Sequence, residues 1–337
     1  MRRSVAARLS VATLAAASLL LAGCAAPAPA PASGGSDGID VVASTNVYGD
    51  IAQAIGGDKV SVTAIITKTS QDPHSYEATA QDRLAVSKAD VVIENGGGYD
   101  DFLTTLTKDS AAGTVLNAVE LSGLEHEGAH DDGAHGDASS GTAGATATAT
   151  EAADDHGHDH GDFNEHVWYS LPAMEKVADG IAAKFAELEP ASAATFEANA
   201  TSFKTAAAAI TGTLETLKTT AKDDKVAVTE PVPLYLLAAA GLVNVTPEAY
   251  TAAIEEGSDV PPATLKEATD LVASGSVRLL AYNEQTAGPQ TEALKKAADA
   301  AGVPVVDFTE TLPEGKTYLQ WMTDNVGNVS KILEKNS

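Results

Sequence analysis

Residues 39–44, IDVVAS, and residues 60–66, VSVTAII, decide how the chain is read. Each is a short apolar run rich in β-branched side chains and bounded by polar or glycine residues, as buried strands are. Between them, residues 48–55 carry helical spacing and stop at Gly56-Gly57. The alternation continues outward, with a helix over 80–87, a strand over 90–93, a helix over 100–106 and a strand over 114–118. Short apolar strands separated by helices imply a parallel sheet covered on both faces.

The same grammar returns near the C-terminus. Strands are expected at 225–229, 243–246, 277–282 and 303–308, with helices at 233–240, 262–274, 290–300 and 318–335. Between the two blocks lie a helix over 171–188, ended before Pro190, and an amphipathic one over 192–221. The latter carries Phe196, Phe203, Ile210, Leu214 and Leu217 on one stripe. At about 1.5 Å per residue it is roughly 45 Å long, more than a small domain is wide. The expected fold class is therefore α/β: two parallel-sheet lobes, 39–170 and 222–337, joined through 171–221 by one long strut helix.

The formal charge is −26. It leaves no basic patch for nucleic acid and suits a cation binder, because a negative field concentrates cations. At the N-terminus, Arg2, Arg3 and Arg8 precede an apolar run over 11–22 that is too short to span a bilayer. The run ends in Leu21-Ala22-Gly23-Cys24, which resembles the bacterial lipobox. The resemblance implies a signal peptide over 1–23, removal of which leaves a charge of about −29. It also implies acylation of Cys24, attaching the protein to the lipid bilayer on the extracytoplasmic side of the cell membrane. Residues 24–38 read as an extended tether. Cys24 is the only cysteine, so neither a disulfide nor a thiolate metal site is expected.

Seven of the eight histidines fall between Glu125 and Trp168, mixed with Asp and Glu and with no Lys or Arg. Imidazole and carboxylate are the donors of zinc and its neighbours. Most of this stretch, 125–165, lacks periodicity and reads as a long loop. Its six histidines, His126, His130, His135, His156, His158 and His160, are expected to be weak accessory metal binders, because chelation there must first order the chain. A tolerated linker without effect is the alternative.

In parallel sheets, ligands bind beyond the carboxyl ends of the strands. Four metal-capable residues occupy such places: His74 after strand 60–66, His166 at the end of the insertion after strand 114–118, Glu230 after 225–229, and Glu310 after 303–308. Two come from each lobe, which puts the metal site in the cleft between lobes. Glu230 could instead cap the helix that follows it. Glu284 competes with Glu310 as a ligand, or orients a histidine ligand from behind.

The segments Asp72-Pro73-His74-Ser75-Tyr76-Glu77 and Asn164-Glu165-His166-Val167-Trp168 resemble two motifs of the metal receptors of zinc/manganese ABC uptake systems. Those motifs are PHxY/PHxF and DPHxW, and Asn-Glu here replaces Asp-Pro. The resemblance implies two lobes clamping one ion with little relative motion, His74 and His166 as the first two ligands, and an ABC permease as partner. The third position, often His in zinc receptors and Glu in manganese receptors, is Glu230. The fourth, usually Asp, is Glu310. The expected cargo is Zn2+, with Mn2+ or ferrous iron as the alternative, and the expected state is a monomer. Two rivals are a zinc hydrolase, against which the lack of HExxH speaks, and a metal-binding surface adhesin.

Overall fold

The computed structural model describes residues 38–110, 112–127 and 163–335. The signal peptide, Cys24, the tether up to residue 37, and His130, His135, His156, His158 and His160 lie outside the described residues. Among the described residues, no helix is long and apolar enough to cross a membrane.

The first lobe runs β1 (Ile39–Thr45), α1 (Asn46–Gly56), β2 (Val60–Ile66), α2 (Ala80–Val86), β3 (Val91–Glu94), α3 (Asp101–Lys108), β4 (Thr114–Asn117), α4 (Ala118–Ser122) and α5 (Leu124–Glu127). Then come α6 (Leu171–Leu188) and α7 (Ala193–Ala221). The second lobe holds β5 (Lys225–Val228), α8 (Leu234–Ala239), β6 (Val243–Asn244), α9 (Glu248–Glu255), α10 (Pro262–Ala273), β7 (Leu280–Asn283), α11 (Pro289–Ala301), β8 (Val305–Phe308) and α12 (Tyr318–Glu334). The strand orders are β2-β1-β3-β4 and β6-β5-β7-β8, every pairing parallel. The two lobes thus repeat one topology.

Strand alternation assigns each sheet face to a different core. Val41 and Ala43 of β1, and Val226 and Val228 of β5, join a core that runs through both lobes along α6, α7 and α12. Their neighbours Val42 and Ala227 turn into smaller cores covered by helices of their own lobe. The inner strands β3 and β7 are buried along their whole length, which is why they read as unbroken apolar runs. The buried stripe of α7, from Phe196 to Ala221, packs on α1, α8 and α12, so one helix of roughly 44 Å serves both lobes.

Polar ties add to that strut. The Asn46 amide donates to the Leu312 carbonyl and accepts from the Leu312 N–H, at 3.0 and 2.9 Å. The Tyr169 hydroxyl donates to the Thr309 carbonyl at 2.7 Å.

Three helices were not legible in the sequence. The strand expected to run to residue 118 ends at Asn117, which also caps α4 by accepting from the Glu120 N–H, and Gly123 ends that helix at φ 71°. The helix α5 spans only four residues, too short for periodicity to speak, and the eight-residue α9 lies in a stretch expected to be a connection. The acidic insertion therefore leaves the fold from the end of a helix rather than the end of a strand.

Candidate metal centre

The turn after β2 is built by Asp72. Its carboxylate accepts from the His74 N–H at 3.0 Å and from the Ser75 hydroxyl at 2.7 Å, closing an Asx turn. Tyr76 then donates to Asp82 at 3.0 Å. Asp82 also completes the capping box of α2 with Thr79. The histidine is thereby fixed at the mouth of the sheet, half-buried.

Asn164 repeats the device. Its side-chain oxygen accepts from the His166 N–H at 3.1 Å and meets His166 Nδ1 at 2.7 Å. An atom that accepts from a backbone N–H is the amide oxygen, so Nδ1 carries the ring proton and Nε2 keeps its lone pair for a metal. Asn164 is itself held across the cleft, donating to the Pro231 carbonyl at 3.1 Å and accepting at its own carbonyl from Tyr235 at 2.8 Å.

His166, at the end of the insertion that follows β4, has its neighbour Glu165 docked on the turn 95–98 that follows β3. There Asn95 donates to the Glu165 carbonyl at 3.0 Å, and Gly96, Gly97 and Gly98 all have positive φ. A Cβ on Gly97 would sit 3.2 Å from Glu165 Cβ, so the glycine lets the 164–166 segment approach. Asp100 anchors the same turn, accepting from the N–H groups of Asn95 and Gly96 at 2.7 and 2.9 Å.

The second lobe supplies carboxylates. Glu230 and Glu310 are each 3% exposed. One Asn283 amide group donates to both, at 2.5 Å to Glu230 and 2.7 Å to Glu310. Gln285 fixes the Glu310 backbone, accepting from its N–H at 2.6 Å. Tyr99 joins the two halves. Its ring lies 4.9 Å from that of His74 and 5.8 Å from that of His166, and its hydroxyl donates to Glu310 at 3.2 Å. His74, His166 and Glu310 thus surround Tyr99, and Glu230 joins them through the Asn283 amide that it shares with Glu310. Glu284 is not among them. It is exposed, because the side chains of successive residues at a strand end turn to opposite sides, and its neighbour Asn283 takes the inward position. His126 falls on α5.

Two residues at the centre went unrecognised in the sequence. Glu165, 2% exposed, brings a carboxylate oxygen to His74 and His166 such that one donor atom from each of the three lies within 4.8 Å of the others. Glu255, at the end of α9, lies 3.9 Å from His166 Nδ1. A carboxylate in place of the proline that precedes the family's histidine was the available signal for Glu165. Nothing local marked Glu255.

Burial pushes the carboxyl groups of Glu165, Glu230, Glu255 and Glu310 upward, and repulsion from neighbouring acids, Asp72 in the case of Glu230, pushes them further. Among the described residues, neither Lys nor Arg lines the cleft of about 690 Å³ above them, whereas Asp72, Glu230, Glu255, Glu256 and Asp259 do. Two neutral imidazoles and several crowded carboxylates without a cationic side chain make a site for a divalent cation.

A family model described as zinc-uptake complex component A, periplasmic (ZnuA), matches residues 41–332. The chain is 36% identical over 93 residues to the manganese-binding lipoprotein MntA of Halalkalibacterium halodurans, a match covering 28% of this chain and 30% of that protein. Its similarity to the manganese ABC transporter substrate-binding lipoprotein scaA of Streptococcus gordonii is 24% over 312 residues, covering 89% and 90%. The match to the first of these relatives thus spans less than a third of its length. In fold the chain is similar to the binding protein FpvC of Pseudomonas aeruginosa in complex with Mn2+, with a TM-score of 0.65 at 20% identity over 89% of this chain and all of that one. These are binding components of transport systems, not enzymes. The chain belongs to the ZnuA family of metal-binding substrate-binding proteins of ABC transporters.

Proposed function

We propose that this protein is a lipid-anchored, extracytoplasmic receptor that captures one divalent transition-metal ion between its lobes and delivers it to an ABC permease. The observation that carries the reading is that His74, His166 and Glu310 meet at Tyr99 where the lobes join, with Glu230 linked to Glu310 through the Asn283 amide. His74 and His166 bind through imidazole nitrogen. Glu230 and Glu310 close the shell from the second lobe, exchanging the Asn283 amide for the ion. The tie through Asn46 and the shared helix α7 favour a rigid clamp, so release requires the permease to displace part of the ligand set. The chain acts as a monomer, anchored through Cys24.

Zinc is the cargo expected from the two imidazoles and the histidine-rich stretch, whose six histidines scavenge ions weakly. A second reading, manganese or ferrous iron, is favoured by Glu at both the third and fourth positions, since oxygen-rich shells suit these ions, and by the manganese named for the similar lipoproteins.

The test is competitive titration of chelator-stripped protein with Zn2+ and Mn2+, repeated with Ala at each of the four positions. Loss of the tight site in these variants supports the assignment, and four silent variants overturn it. Deleting residues 125–165 would remove Glu165 as well, so the accessory role is tested by deleting 128–160. That deletion should remove weakly held ions and leave the tight one. Wild-type metal uptake by cells lacking the protein would refute the transport role.

A further inference from the structure

We propose that Glu165 ligates the captured ion as a third carboxylate, and that this fifth protein donor raises the site's preference for Mn2+ or Fe2+ relative to Zn2+. The inference rests on the metal-receptor reading above and deepens it.

Donors bound to a common ion at about 2.1 Å lie no more than roughly 4.3 Å apart. The donor atoms of His74, Glu165 and His166 already lie within 4.8 Å of one another, and three donors spaced evenly about one ion lie at most about 3.6 Å apart, so inward movements of less than about 1 Å let all three reach it. Among the described residues these three form the metal-capable cluster, and all belong to the first lobe. Glu230 and Glu310 are tied instead to Asn283, on the other side of the cleft. Glu165 therefore stands closer to the two histidines than either carboxylate that strand-end position picks out.

Its position is also built. The Glu165 carbonyl accepts from Asn95 Nδ2 at 3.0 Å and from the Val167 N–H at 2.7 Å. Its Cβ rests over Gly97, where no other residue leaves room. On either side, Asn164 and His166 are fixed by the hydrogen bonds already described. A side chain supported this way reaches its ligand with little loss of rotamer freedom.

Two imidazoles with two carboxylates can satisfy tetrahedral zinc. Adding a third carboxylate takes the shell to five donors, or six where one binds through both oxygens. That number and oxygen content suit Mn2+ and Fe2+, while zinc gains little from donors beyond four. The one residue at which this chain departs from the family's Asp-Pro-His pattern by gaining a carboxylate is thus placed to tune which ion is held.

Three variants of the full chain separate ligation from charge. Glu165→Gln removes the charge and keeps the shape. Glu165→Asp keeps the charge but retracts it by one methylene. His166→Ala tests the underlying site. Ligation predicts that both Gln and Asp weaken Mn2+ binding by about 10–100-fold and Zn2+ binding by only about threefold. The visible absorption of bound Co2+ should change from the weak band of five or six coordination to the strong band of four. If Glu165 supplied only a negative field, Gln would weaken both ions by the same factor, Asp would match wild type, and the Co2+ spectrum would not change; that result overturns the inference. If His166→Ala leaves tight binding intact, the receptor reading itself fails, whatever Glu165 does. Thermal melts of the metal-free variants identify any that fails to fold, and either of the two Glu165 substitutions alone still decides the spectral question.

Discussion

Replacing Glu310 with Gln should move two quantities in opposite directions: the stability of the metal-free chain rises and its affinity for metal falls. Glu310 is buried beside Glu230, with burial the larger cause and Glu230's charge the second, so its carboxyl is pushed from 4.5 up to about 8. A group whose folded-state pKa lies above its unfolded value favours the fold in its protonated form. That contribution is complete below the unfolded pKa and is lost as pH rises through the folded one. At about 1.4 kcal/mol per pH unit, the span sets an upper bound of about 5 kcal/mol. Because Glu230 shares the crowding, relieving Glu310 alone should recover on the order of 2 kcal/mol at pH 8. Gln can accept from Asn283 through its carbonyl and donate its amide to the Tyr99 oxygen, reversing the present bond, so both close contacts stay polar. In EDTA-treated protein followed by circular dichroism, the variant should melt about 4–8 °C above wild type at pH 8, with the gap closing at pH 5. Metal affinity should fall by at least the 10–100-fold that an outer-sphere partner is worth. A variant less stable than wild type at pH 8, or a gap equal at both pH values, would refute the crowding argument. An unchanged affinity would remove Glu310 from the ligand set.

Asn164→Ala frees the His166 ring, and metal affinity should drop by about 10–100-fold with the fold retained, as measured by chelator competition and a thermal melt. Metal binding should weaken steadily as pH falls from 8 to 5, because both imidazoles and the raised carboxyls must lose protons first. Calorimetry in buffers of different ionisation enthalpy should then show proton release, and a pH-independent affinity would contradict it. Trp168 lies 5.1 Å from the His166 ring and 4.6 Å from Tyr99, so a charge on His166 should alter its emission. The change should survive Trp321→Phe and vanish in Trp168→Phe.

The alternation of short apolar runs with helices marked both lobes, and the stripe from Phe196 to Leu217 marked the shared helix, because buried faces leave periodic traces in sequence. His74, His166, Glu230 and Glu310 became candidates because ligands bind beyond the carboxyl ends of parallel strands. Composition does not separate His166 from the other histidines of its stretch, and among the described residues it is His166 that stands beside His74 and Glu165. Asn283 and Glu284 are adjacent, and only the register of β7 determines which of them faces the cleft. Glu165 was hidden among the acids of its own segment until the Gly97 turn brought it against the histidines. Glu255, on a helix not expected from the sequence, comes within 3.9 Å of His166 because the second lobe packs against the first. Sequence by itself fixes what repeats locally, namely elements, faces and strand ends. Which side chains meet across the cleft depends on strand order and on how two lobes pack along one helix, and those contacts join residues far apart in the chain.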